Sequence, residues 1–184
     1  MGPAAAGVYV PSRDVSHAGH ELSQKILRSK TSREHDPLLA RLLHGVAARH
    51  FPSYKPDLVV SLPPKPGEED RFRNIRRALA ELTGAADAGS ALADTRVVPD
   101  YRRMSAAQRV VAADRRYLAA ASVRANSVLL IDDVVTTGAQ ATDAIRALVA
   151  TGATEVRFAC VARTIEGPGN TRAASRIAMP PVGE

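Results

Sequence analysis

Two consecutive acids, Asp132 and Asp133, close an apolar run, and a Thr136-Thr137-Gly138 turn follows two residues later; residues 128–141 read VLLIDDVVTTGAQA. A buried strand would deliver the carboxylates to its end, and the turn would open a helix. Backbone N–H groups at a helix start, the helix dipole and the two threonine hydroxyls together form an anion site suited to a phosphomonoester. Gly138 lets the backbone come close to that anion. Because side chains alternate across a strand, at least one of Asp132 and Asp133 is expected to reach the same crevice. A carboxylate there can accept hydrogen bonds from sugar hydroxyls or hold a magnesium-bound water. Phosphate on one side and paired hydroxyls on the other define a ribose 5-phosphate footprint. An ordinary capped strand-turn-helix is the alternative, but consecutive acids at the end of a buried strand are costly unless paired or functional.

The elements that must position these residues follow from the hydrophobic pattern. Asp36-Pro37 with apolar residues at 38, 39, 42, 43, 46 and 47 predicts a helix, with Asp36 as N-cap, ending near Phe51-Pro52. Residues 57–63 are a short apolar run between turn formers, as for a buried parallel strand. A helix is expected over 71–82, a brief strand over 95–98, a mobile loop with some helical content over 100–116, and a strand over 117–123. A strand over 127–131 then feeds a helix from Gly138 to Thr151-Gly152, and residues 155–162 return as strand. Strands alternating with helices imply an α/β fold, a parallel sheet flanked by helices with ligands at the carboxyl ends of the strands. The turns at residues 62–67 and 136–139 both fall at such ends.

The 184 residues, 45% of them hydrophobic, suit a single domain over 1–184 with its core at about 36–165. Residues 1–19 and 173–184 are small, polar and proline-containing, and are expected to be loosely ordered. A formal charge of +6 suits an anionic partner, polyphosphate or nucleic acid. The single cysteine, Cys160, lies in an apolar run and reads as a buried structural thiol. His17 and His20 have a spacing conceivable for a metal but no third ligand nearby. No secretory signal or run of ~18 apolar residues is visible. The expectation is a cytoplasmic protein without a membrane partner.

Residues 128–139 resemble the signature of type I phosphoribosyltransferases: an apolar strand, Asp-Asp, two apolar residues, Thr-Thr-Gly. The family's small hydroxyl residue two places after the glycine is here Gln140. Within that family, residues 57–165 most resemble the competence-associated ComF-type branch. LVVSLPP after Asp57 resembles its first strand and pyrophosphate turn, DRFRN at 70–74 its Arg-Gly-Phe-Asn element, and RRMSAAQR at 102–109 its loop ending in Arg.

The resemblance implies binding of phosphoribosyl pyrophosphate with Mg2+ and transfer of 5-phosphoribosyl to an acceptor, a nitrogenous base or related small molecule. Asp132, Asp133, Val135, Thr136, Thr137, Gly138, Ala139 and Gln140 would then hold ribose 5-phosphate. Pro64, Lys65, Arg71, Arg73, Arg102 and Arg103 would meet pyrophosphate. Asp132 and Asp133 would serve the metal, directly or through water, and with Arg109 would form the catalytic set. A small hood from terminal segments, residues 8–50 and those after Arg163, would select the acceptor, and a homodimer is common in the family. The rival reading is a non-catalytic sensor of the same ligand or a DNA-uptake accessory. The positive charge motivates it, but no sequence-reading nucleic-acid motif supports it.

Overall fold

The computed structural model of the chain describes residues 4–11, 14–64, 67–96 and 104–164. In chain order its elements are β1 (Ala4–Tyr9), α1 (Glu21–Ser32), α2 (Asp36–His50), β2 (Leu58–Ser61), α3 (Arg73–Thr83), β3 (Ala86–Asp87), β4 (Leu92–Asp94), α4 (Ala106–Ala113), β5 (Tyr117–Ala119), β6 (Ser127–Val135), α5 (Ala139–Ala150) and β7 (Glu155–Thr164). Short 3-10 turns lie at Val15–Gly19 and Ala121–Val123. β1, β7, β6, β2 and β3 form one five-stranded sheet in that order, every pair parallel, as the alternating pattern requires. β4 and β5 stand apart as an antiparallel ribbon.

The pleat of β6 separates two cores. Leu129 and Ile131 face α2 and α3 with Ile26, Leu39, Leu43, Val46, Ile75 and Leu79, whereas Val128 and Leu130 face α5 with Ala144, Ile145 and Leu148. Side chains alternate with period two along the strand, so Asp133 continues the first face and Asp132 the second. Among the described residues no helix is long and apolar enough to cross a membrane.

Several expected elements move. Residues 4–9, expected to be loose, form the edge strand β1 beside β7, with Ala4 buried. Residues 21–32 form α1, which the apolar pattern did not announce because Ser23 and Ser29 share its buried face with Ile26. Those hydroxyls are satisfied locally: Ser23 Oγ accepts from Val10 N at 2.8 Å and Ser29 Oγ donates to Asp36. Asp36 is therefore the first residue of α2 and a buried acceptor, and His35 takes the cap position. The strand expected at 95–98 lies at 92–94; residues 97 and 98 are outside the described set. The strand expected at 117–123 stops at 119 and turns. α2 packs in the core rather than forming a hood. Residues 165–184, including the C-terminal hood segment and tail, lie outside the described residues.

Candidate functional site

β6 ends and α5 begins around an open cavity of about 60 Å³ lined by Asp132, Val134, Val135, Thr136, Thr137, Gly138, Ala139, Gln140, Ala141 and, from α4, Arg109. Gly138 is the N-cap of α5 with φ of 75°, a left-handed conformation that glycine adopts without steric cost. Thr137 Oγ1 accepts from Ala139 N at 3.4 Å, and the Thr136 and Thr164 hydroxyls stand 3.3 Å apart. The Gln140 amide donates to the Tyr117 hydroxyl at 2.9 Å.

The two acids divide. Asp133 faces the α1–α3 side, where Arg71 grips it with two donors, Nη1 to Oδ2 at 2.5 Å and Nη2 to Oδ1 at 3.1 Å. Lys30 of α1 adds Nζ to Oδ2 at 2.7 Å. Burial alone would push this carboxyl up, but Arg71 and Lys30 outweigh it and hold Asp133 well below the usual range. Asp132, 8% exposed, has Arg71 no nearer than 3.8 Å and accepts from Asp133 N at 2.8 Å. Burial, and after it the Asp133 charge, pushes Asp132 up to about 8.

Of the basic residues anticipated for pyrophosphate, Arg71 is engaged by the acids and stacks 4.6 Å from the Phe72 ring. Arg73 is exposed at the start of α3, and neither lines the cavity. Pro64 is half-buried in the turn after β2. Lys65, Arg102 and Arg103 lie outside the described residues. Lys30 and Tyr117 were missed; Lys30 sits in a helix whose buried face is largely serine, and Tyr117 carried no periodic signal. Cys160 is a buried free thiol.

Magnesium takes hard oxygen donors and is commonly held by one or two carboxylates together with substrate phosphates. Asp132 offers one carboxylate to the cavity, whereas Asp133 carries two protein cations on the other face. Among the described residues no group of three or more His, Cys, Asp or Glu could hold a metal alone. The residues fit an ion that arrives with a phosphate-rich ligand and meets Asp132.

The model of the phosphoribosyl transferase domain matches residues 71–177, more than half of the chain. The chain belongs to that family. No curated protein matches the sequence. Among solved structures, the phosphoribosyltransferase domain is similar to glutamine phosphoribosylpyrophosphate amidotransferase from B. subtilis, with TM-score 0.50 and 20% identity over 74% of this chain and 30% of that one. Adenine phosphoribosyltransferase from Saccharomyces cerevisiae matches with TM-score 0.43 and 17% identity over 70% of each chain. Phosphoribosylpyrophosphate synthetase from Mycobacterium smegmatis matches with TM-score 0.43 and 22% identity over 68% of this chain and 33% of that one. At 20% identity the first of these likenesses speaks for the fold alone. The chain spans 25 to 33% of the length of the first three structures it matches.

Proposed function

We propose that this phosphoribosyltransferase domain binds phosphoribosyl pyrophosphate with Mg2+ and transfers 5-phosphoribosyl to a nitrogenous base or related small molecule, within the ComF-type branch. Its support is one juxtaposition: the Asp132 carboxylate and the start of α5 line the same cavity, one suited to sugar hydroxyls and the other to a phosphate. In the reaction an acceptor nitrogen attacks the anomeric carbon while the bond to pyrophosphate breaks, with positive charge developing on the ribose. Magnesium would supply charge neutralisation for the departing pyrophosphate. Asp132 orients the ribose through its hydroxyls, and the turn from Thr136 to Ala139 fixes the 5-phosphate, so that the anomeric carbon is presented in one geometry. Lys65, Arg73, Arg102 and Arg103 are assigned to pyrophosphate by the family resemblance, and Arg71 acts by holding Asp133.

Calorimetric titration with phosphoribosyl pyrophosphate and Mg2+ tests the donor site: Asp132→Asn is expected to weaken binding, and equal binding by wild type and variant would sink the assignment. Screening nitrogenous and non-base acceptors for pyrophosphate release then identifies the second substrate. Salt-dependent binding to duplex DNA, with no pyrophosphate released against any acceptor, would favour the sensor or DNA-accessory reading instead.

A further inference from the structure

Among the described residues lining the cavity, one comes from outside the contiguous run of β6, turn and α5: Arg109, on α4. The contacts that hold α4 there converge one turn into α5. The buried Asp143 carboxylate accepts backbone N–H bonds from three consecutive residues, Arg115 at 3.0 Å, Arg116 at 2.8 Å and Tyr117 at 2.9 Å. Arg115 has φ of 49°, a left-handed conformation of the kind that curls successive N–H groups into an anion-binding nest. Here the anion is the chain's own, and Arg146 pairs with it at 2.7 Å.

The other end of the same excursion is closed as well. Thr95 donates to the Arg116 carbonyl through its N–H at 3.0 Å and its hydroxyl at 2.7 Å. The Arg116 guanidinium in turn holds Asp94, Nε to Oδ1 at 2.9 Å. The root of the segment carrying α4 is therefore clasped to the helix whose first turn is the candidate phosphate site. A second strut, from the Gln140 amide to the Tyr117 hydroxyl, engages the donor that the signature would otherwise present to an anion. Among the described residues lining the cavity, Arg109 is then the cationic one.

We propose that Arg109 is the charged ligand of the 5-phosphate and that Asp143 is the positioning residue that sets it there. The proposal rests on the donor-binding reading above and deepens it. A guanidinium offers a planar fork of donors that matches phosphate oxygens in pairs, and it needs a defined approach to use both. The clasp supplies that approach by tying the root of the arm to the same helix that fixes the phosphate.

Ribose 5-phosphate, and separately phosphoribosyl pyrophosphate with Mg2+, are titrated into the full chain by calorimetry. Arg109→Gln is expected to weaken ribose 5-phosphate roughly tenfold or more, with Arg109→Lys recovering part of the loss. Asp143→Asn should weaken it in the same sense, and the double variant should be no weaker than Arg109→Gln alone. Additive losses would show that Asp143 does not act through Arg109. An Arg109→Gln variant that keeps ribose 5-phosphate affinity while losing phosphoribosyl pyrophosphate would return the arginine to the leaving group. Either result overturns the proposal. If Asp143→Asn does not fold, Tyr117→Phe, which removes only the second strut, takes its place in the same cycle. A wild-type chain that binds neither ligand overturns the donor reading, and this proposal with it, an outcome distinct from both.

Discussion

Adjacent on one strand, Asp132 and Asp133 meet opposite environments because the pleat sends one toward α5 and the other toward α1 and α3. Asp133 is charged and doubly gripped. Removing Lys30 leaves a buried carboxylate with Arg71 alone, so Lys30→Met is expected to cost about 1–3 kcal/mol of stability in urea unfolding. An unchanged midpoint would show that the ammonium is not a working partner. Burial, and after it the Asp133 charge, raises Asp132 above the usual carboxylate range. Its folded value, about 8, lies above the unfolded carboxylate value of about 3.9. Its contribution to stability is thus fully present below the unfolded value and lost as pH rises through the folded one. Asp132→Asn has no such loss. Its melting temperature relative to wild type is expected to be higher at pH 9 than at pH 5, and a pH-independent difference would refute the assignment. Asp133 has the opposite sign, its contribution being lost in acid.

At the level of elements, the β4–β5 ribbon cannot stand alone, since two-stranded ribbons are marginal in water. It is held by the Arg116–Asp94 pair, whose side chains are 5% and 2% exposed, and by the hold of Asp143 on its root. Asp94→Ala strands a buried guanidinium and is expected to destabilise by about 3–5 kcal/mol in equilibrium unfolding. The double change Asp94→Ala with Arg116→Met should recover much of this, and a double variant as unstable as the single would place the cost elsewhere. The α1–α2 joint relies on similar polar burial, with Asp36 accepting from Ser29 and from Asn74 Nδ2 at 3.3 Å. α1 thereby brings Lys30 to the far side of the acid pair.

Across the whole molecule, β1 covers the edge of β7, and Cys160 Sγ donates to the Ala4 carbonyl at 3.5 Å across that pair. Deleting residues 1–11 exposes β7 as an unpaired edge, so the truncated chain is expected to melt lower and to self-associate on size exclusion; an unchanged melt and elution would mean that β1 is dispensable. Much of this molecule was legible beforehand. The apolar runs at 57–63, 127–131 and 155–162 became adjacent parallel strands because continuous apolarity bounded by turn formers fits a strand buried on both faces. The part of the cavity lining at residues 132 and 135–140 was legible for a local reason, since strand, turn and helix start are contiguous in the chain. Two features were not. α1 and its Lys30 were hidden because serines, satisfied by partners distant in sequence, occupy buried positions that periodicity reserves for apolar residues. The division of labour between Asp132 and Asp133, and the seat of Arg109, required the sheet to set which face meets α1 and which meets α5. The sequence by itself determined which residues make the glycine turn into α5 with acids beside it. Only the tertiary structure decided which acid faces the cavity and which cation joins it, because contacts between distant segments depend on packing that no local pattern encodes.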